Sequence, residues 1–141
     1  MDLERAIQVA ADAHRGQKDK AGQPYILHPL RVMAACTTPQ ERIVAVLHDV
    51  VEDSDWTLDD LRREGLADEL VDAVDAMTRR EGESYSDFVD RAARHPIART
   101  VKIADLRDNL DMSRLTDPAG SDRQRAQKYQ EALNMLGVPS G

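Results

Sequence analysis

Ile43-Val44-Ala45-Val46-Leu47-His48-Asp49-Val50-Val51-Glu52-Asp53 carries five apolar residues into a block holding one imidazole and three carboxylates. On a helix of about 3.6 residues per turn, neighbours diverge by about 100°, so His48 and Asp49 can flank one point. Glu52 lies four residues after His48, and Asp53 four after Asp49, so each pair shares a face. Carboxylates packed this closely repel unless a cation or protons intervene. The stretch therefore reads as an apolar helix carrying a metal site, and the chain as an enzyme candidate.

Helical spacing continues on both sides of it. Leu3, Ala6, Ile7, Ala10, Ala11 and His14 mark a first helix ending near Gly16. A polar loop follows to Pro24, then a second helix over Pro29–Cys36. The third is expected to begin near Pro39, with Glu41 in its first turn, and to run through Asp53. Thr57 and Asp60 have the spacing of a helix start, and Gly65 ends that short element. Helices also fit Leu70–Met77, Tyr85–Ala93 with Ser84 as N-cap, and Ile97–Leu110 after Pro96. Asp117-Pro118-Ala119-Gly120 reads as the clearest break, before a last helix over Asp122–Leu136. No period-2 alternation is long enough for a sheet. The expectation is a single all-α domain across residues 1–141.

The 141 residues suffice for one buried core, and 32% charged against 41% hydrophobic residues is ordinary for a globular protein. Nineteen basic against 26 acidic residues give a net charge of -7, a poor balance for sequence-independent binding of nucleic acid. A small anionic substrate remains compatible, because a metal and a few placed cations set the local field. The apolar runs are too short to span a bilayer, and the acidic, amphipathic N-terminus lacks the pattern of a signal peptide. Cys36 is the only cysteine, which favours a reducing compartment, and it reads as a small buried apolar residue. A cytoplasmic protein is the expectation. Met33, Met77, Met112 and Met135 read as core filler, His14 and His95 as residues that cap or end helices, and Trp56 as a packing anchor or a pocket wall.

Two further segments complete the chemistry. His28 sits in Tyr25-Ile26-Leu27-His28-Pro29, where apolar neighbours and the following proline restrict the backbone. Val101-Lys102-Ile103-Ala104-Asp105 places an acid after an apolar stretch, with Asn109 one turn on. Two histidines and two aspartates from three helices form a mixed N/O set suited to Mn²⁺, Fe²⁺ or Zn²⁺.

These segments, with Ala13-His14-Arg15-Gly16-Gln17 and Gly22-Gln23-Pro24-Tyr25, carry a resemblance in their order and spacing from residue 13 to 109. The chain resembles the HD phosphohydrolase superfamily, and more narrowly the hydrolase domain of the Rel/SpoT alarmone enzymes. The resemblance implies an HD-domain helical bundle in which His28, His48, Asp49 and Asp105 bind one metal, typically Mn²⁺. It implies that Glu52 and Asp53 orient and deprotonate the attacking water. Lys20 and Tyr25 would contact phosphate and nucleoside, and Asn109 the ribose or the metal cluster. The implied reaction removes the 3′-diphosphate of ppGpp or pppGpp, giving GDP or GTP and pyrophosphate, in a small stand-alone hydrolase.

Two positions depart from the pattern. Asp19 stands where long bifunctional relatives carry an arginine that holds the guanine base, and a carboxylate cannot supply that cationic stacking. Asp108 stands where the usual run has a histidine. Both changes bear on which base is held. They keep open a metal-dependent phosphatase for another nucleotide, such as NADPH or a nucleoside monophosphate, and a catalytically silent nucleotide-binding module. The bland alternatives are a core-satisfied His48–Asp49 pair, a structural His28, a solvated helix end at Glu52 and Asp53, and an Asp105 paired with Arg107 or Arg99. Lys18, Arg79 and Arg80 read as solvated loop charges.

Overall fold

In the computed structural model the run Ile43–Leu47 is buried at every position. A helix apolar all round must be enclosed by other elements. The helix that carries this apolar run, α3 (Pro39–Leu47), is packed against α1 (Leu3–Ala13), α2 (Leu27–Ala35), α6 (Asp68–Ala76) and α8 (Pro96–Thr116). Completing the chain are α4 (Val50–Asp53), α5 (Leu58–Arg63), α7 (Tyr85–Ala93) and α9 (Ser121–Met135). The structure describes residues 1–116 and 121–138, with the backbone alone at 114–116, 121 and 122. The expected break at 117–120 lies outside the described residues. Among those described, no strand forms, only an isolated bridge between Lys18 and Pro24, and the all-α expectation holds.

Side-chain caps set most of the helix starts. Thr38 and Glu41 form a reciprocal capping box on α3, with Pro39 in the first turn, and Thr57 and Asp60 form another on α5. Asp2 accepts from the Arg5 N–H at the start of α1, and Ser84 from the Asp87 N–H at the start of α7. His95 Nδ1 accepts from the N–H groups of Ile97 and Ala98, so that histidine starts α8. His14 is the C-cap of α1.

Two apolar clusters result. Ala6, Val9, Ala10, Val32, Ile43–Leu47, Leu61, Val71 and Val74 belong to the larger, under α1, α3 and α6. Val89, Leu106, Leu110, Leu133 and Leu136 join α7, α8 and α9 in the second. Cys36 and Met77 are buried as expected, and Trp56 packs against the larger cluster as an anchor. Met135 is 53% exposed, so it is not core filler: it sits at the end of α9 beyond the buried face formed by Ala132, Leu133 and Leu136.

Of the boundaries that differ from expectation, three matter most. Helix α2 starts at Leu27, which puts His28 in its first turn, where the missing N–H of Pro29 costs nothing. Helix α8 continues past Leu110 to Thr116, because no breaker follows until Asp117-Pro118. Most consequential, α3 does not run through Asp53. It stops at Leu47, and the one-turn α4 follows. The Ala45 carbonyl, which an unbroken helix would offer to the Asp49 N–H, accepts instead from His48 Nδ1–H at 2.6 Å. Asp49 relaxes to φ -101°, ψ -2°. Glu52 and Asp53 therefore lie in the one-turn α4, after the break, rather than at the end of α3.

The segment between α1 and α2 is a small hairpin. Asp19 N–H donates to the Gln23 carbonyl at 2.8 Å, Tyr25 N–H to the Gln17 carbonyl at 2.9 Å, and Gln23 N–H to Asp19 Oδ1 at 2.9 Å. Gly22 turns it at φ +82°, a conformation that favours glycine. Gln17 pins the hairpin to α4 by donating to the Asp53 carbonyl at 2.8 Å.

Candidate metal centre

His48, the C-cap of α3, is buried. A carbonyl can only accept, so its bond to Ala45 places the proton on Nδ1 and leaves the Nε2 lone pair facing the interior. His48 Nε2 lies 3.1 Å from Asp49 Oδ2 and 3.3 Å from Asp105 Oδ1. His28, from α2, is turned the same way: Nδ1 meets Asp108 Oδ2 at 2.7 Å, while Nε2 lies 2.9 Å from Asp105 Oδ1 and 3.8 Å from Asp49 Oδ2. Donor atoms of His28, His48 and Asp49 all fall within 4.8 Å of one another. Asp105 stands against both imidazoles. All four residues predicted as ligands thus converge, from α2, the α3–α4 junction and α8.

With both Nδ1 atoms committed, two imidazole lone pairs point at two carboxylates. Acceptors facing acceptors need either extra protons or a cation between them. Two nitrogens and carboxylate oxygens in a buried pocket fit a borderline divalent ion, so the residues present suit a metal. Without one, protons fill the gap. Burial alone would lower His28, but hydrogen bonds to Asp105 and Asp108 outweigh it and lift its pKa to about 9. His48 is likewise raised well above the usual imidazole range, burial being outweighed by the charges of Asp49 and Asp105. Burial pushes Asp49 up, yet His48 and His28 bring it down to about 2.

Neighbouring groups orient the carboxylates. Tyr25 donates its hydroxyl to Asp49 Oδ2 at 2.5 Å, and burial together with the Asp49 charge keeps the phenol protonated. Asn109 Nδ2 donates to Asp105 Oδ1 at 3.2 Å. Tyr25 and Asn109, expected as substrate contacts, bond to the Asp49 and Asp105 carboxylates and also line the adjoining cavities. Asp105 pairs with neither Arg107 nor Arg99. Its partner is Lys102, whose Nζ sits 3.1 Å from Oδ2 and 4.6 Å from the centre of the Phe88 ring. Burial pulls the Lys102 pKa down, but the Asp105 charge prevails and raises it.

Two cavities open on this cluster and share Tyr25, His28, Asn109 and Tyr129. The smaller, about 170 Å³, reaches His48, Asp49, Asp105 and Glu52. The larger, about 300 Å³, is walled by Lys18, Lys20, Arg31 and Arg125 against Asp19 and Asp108. Cations outnumber carboxylates there, so a chain of net charge -7 presents a locally positive mouth suited to phosphate. Glu52 Oε1 accepts from the Arg79 N–H at 2.9 Å, which anchors its carboxylate on the smaller cavity. Asp53 does not line either cavity. Its carboxyl is raised to about 6, first by burial and then by the charges of Asp49 and Glu52.

Several contributors escaped the sequence reading. Lys102 could have been found, since it lies three residues before Asp105 and shares its helix face. Arg125 and Tyr129 reach the larger cavity from α9, for which no local pattern gives a signal. His14 is 2% exposed, with Nδ1 bonded to Gln17 Oε1 at 2.9 Å and Nε2 without a hydrogen-bond partner.

The sequence pattern of the HD domain family matches residues 6–134. The chain belongs to the HD-domain family. This HD domain is 39% identical over 143 residues to the guanosine-3′,5′-bis(diphosphate) 3′-pyrophosphohydrolases MESH1 of Mus musculus and Homo sapiens, covering 92% of this chain and 79% of each relative. It is also 36% identical over 121 residues to a GTP pyrophosphokinase of Streptomyces coelicolor, covering 77% of this chain but 14% of that protein. A Mycobacterium leprae protein named probable GTP pyrophosphokinase is 33% identical, with 18% of its length covered. The HD domain thus spans less than a fifth of those two long relatives. Among solved structures it is similar to one described as "A metazoan ortholog of SpoT hydrolyzes ppGpp and plays a role in starvation responses", with a TM-score of 0.76 and 27% identity, covering 95% of this chain and 82% of the other. Among the described residues no helix is long and apolar enough to cross a membrane.

Proposed function

We propose that this HD domain is a divalent-metal-dependent hydrolase that removes the 3′-diphosphate of ppGpp or pppGpp, releasing pyrophosphate and GDP or GTP. The reading rests on one observation above all. Two imidazole Nε2 atoms and the Asp49 and Asp105 carboxylates converge beneath a cavity whose mouth is predominantly cationic. Likeness to the MESH1 hydrolases over 92% of the chain supports the substrate class.

His28, His48, Asp49 and Asp105 would hold the ion, Mn²⁺ in this reading. When bound, it would acidify water and stabilise charge developing on phosphate. Glu52, held on the cavity by the Arg79 N–H, orients the attacking water and accepts its proton. Asp53 supports Glu52 through its nearby charge. As the water oxygen bonds to phosphorus, the phosphorus–O3′ bond breaks, and the freed ribose oxygen takes up a proton to become a hydroxyl. Lys20, on the hairpin at the cavity mouth, contacts phosphate, while Tyr25 and Asn109 hold the carboxylates of Asp49 and Asp105 and face the nucleoside side. The domain is taken to act on this small nucleotide in the cytoplasm.

A second substrate class draws support from Asp19, which brings a carboxylate to the cavity wall where a base-holding arginine is usual. A phosphatase for NADPH or a nucleoside monophosphate would keep the same metal chemistry. Incubating Mn²⁺-loaded protein separately with ppGpp, NADPH and nucleoside monophosphates decides between them. The expected products are GDP and pyrophosphate from ppGpp. Inorganic phosphate alone, from any of the substrates, moves the assignment to the phosphatase. Turnover retained in His48→Ala would overturn the metal mechanism.

A further inference from the structure

His48 and His28 present the same nitrogen to the carboxylates, but what holds each ring differs. His48 is fixed by a neutral carbonyl three residues back, within its own turn. His28 is fixed by Asp108, a charged group 80 residues away on α8. Asp108 is itself gripped: Arg31 Nε donates to Oδ1 at 2.8 Å, and Nη2 to Oδ2 at 3.1 Å, so one guanidinium fork spans both oxygens. Oδ2 at the same time accepts from His28 Nδ1 at 2.7 Å.

The spacing makes this a built arrangement. Arg31 is three residues after His28 on α2, and Asp108 is three after Asp105 on α8. Residues three apart share a helix face. The two helices therefore meet along two rungs, His28–Asp105 and Arg31–Asp108, with the His28 ring bridging both. The sequence reading attached Asp108 to base identity, because it replaces a histidine in the usual pattern. In the structure its carboxylate is spent on a metal-facing imidazole.

We infer that Asp108, oriented by the Arg31 fork, is a positioning residue that fixes the His28 ring with its proton on Nδ1 and its Nε2 lone pair toward the metal. A carboxylate can only accept from Nδ1–H, so it selects that tautomer, and its charge makes Nε2 a stronger donor. Arg31 keeps the carboxylate from rotating toward solvent and aligns α2 with α8. Asp108 thus acts on the metal through His28, although it also borders the larger cavity.

The inference rests on the metal reading above, so its test measures metal binding directly. The full chain is stripped of metal by chelation and titrated with Co²⁺, following visible absorption and heat, for wild type, Asp108→Ala, Asp108→Asn and Arg31→Met. Asp108→Ala is expected to weaken Co²⁺ binding about 10- to 100-fold, the range for removing a carboxylate behind a ligating histidine. Asp108→Asn recovers part of the loss, because the amide oxygen still accepts from Nδ1–H, and Arg31→Met gives a smaller loss. Thr57→Ala, which loosens a remote cap, leaves Co²⁺ affinity unchanged and controls for general destabilisation. If Asp108→Ala fails to fold, Asp108→Asn carries the test, since it keeps the shape and removes the charge; binding as tight as wild type overturns the inference. Unchanged affinity in a folded Asp108→Ala overturns it equally, while leaving the metal site standing. A wild type that takes up no Co²⁺ overturns the metal reading, and this inference with it.

Discussion

At the scale of single residues, the two acids after the ligand pair have different surroundings, and that difference is measurable. Glu52 lines the smaller cavity and takes the Arg79 N–H on Oε1. Glu52→Gln keeps an acceptor there and loses only the base. Turnover is expected to fall by about 10²- to 10⁴-fold with Mn²⁺ affinity unchanged, as read by steady-state assay and metal titration. Loss of metal instead would make Glu52 a ligand. His28 supplies a second measurement. Its pKa near 9 means that the metal-free protein carries this proton at neutral pH. A metal must displace it, so affinity should weaken as pH falls below about 9, with protons released on binding. Calorimetric titrations in buffers of different ionisation enthalpy check the release, and equal heats across buffers would contradict it. His28, His48, Asp49 and Asp105 stood out in the sequence as candidate ligands because motif order carries them, and the fold brings their side chains together. Asp108 was visible only as an oddity, since its partner is 80 residues away.

At the scale of elements, side-chain caps were the most readable feature. Ser84 and the Thr57–Asp60 pair cap as their spacing implies, and Tyr85–Ala93 is helical from end to end as expected. Capping chemistry is confined to one turn, so four consecutive residues contain it. The end of α3 was not readable. Val50 and Val51 extend the apolar pattern across the break, where the His48 imidazole bonds backward to the Ala45 carbonyl. Helix α7 offers a test at this scale. Arg91 donates to both oxygens of Glu83 at 2.9 Å and to the carbonyls of Asp75 and Thr78, tying α7 to the end of α6. The Arg91 bond, with the Arg80 N–H, lowers the Glu83 pKa from 4.5 to about 2. A depressed folded-state pKa contributes stability above the unfolded value and loses it as pH falls through the folded one. The interval from about pH 4.5 down to 2 should therefore show part of the acid destabilisation through this pair. Glu83→Gln is expected to flatten that stretch in urea melts compared at pH 5 and pH 3. An unchanged slope would mean that the pair contributes nothing to folding.

At the scale of the whole molecule, the site and the fold are one cooperative object. The four candidate ligands come from α2, the α3–α4 junction and α8, and His28 and Asp105 are separated by 77 residues of chain. The unfolded chain does not hold them together, so Mn²⁺ should bind the folded state and raise Tm progressively with its concentration. At a free concentration of about 100 times Kd the stabilisation is about 2.7 kcal/mol. Thermal melts across a Mn²⁺ series measure it, and His48→Ala should abolish the shift. A wild-type Tm insensitive to Mn²⁺ would count against a specific site. By itself the sequence determined the helical class, most helix starts and the order of the candidate ligand residues, because periodicity, caps and motif spacing are local properties of a chain. Tertiary structure alone decided that α3 ends at His48, that Lys102 rather than an arginine pairs with Asp105, that Asp53 stays outside the two cavities on the cluster, and that Asp108 bonds to His28. Those outcomes depend on which buried charges meet across the packed helices. Burial makes each unmatched charge costly, so partners are chosen by the geometry of packing rather than by nearness along the chain.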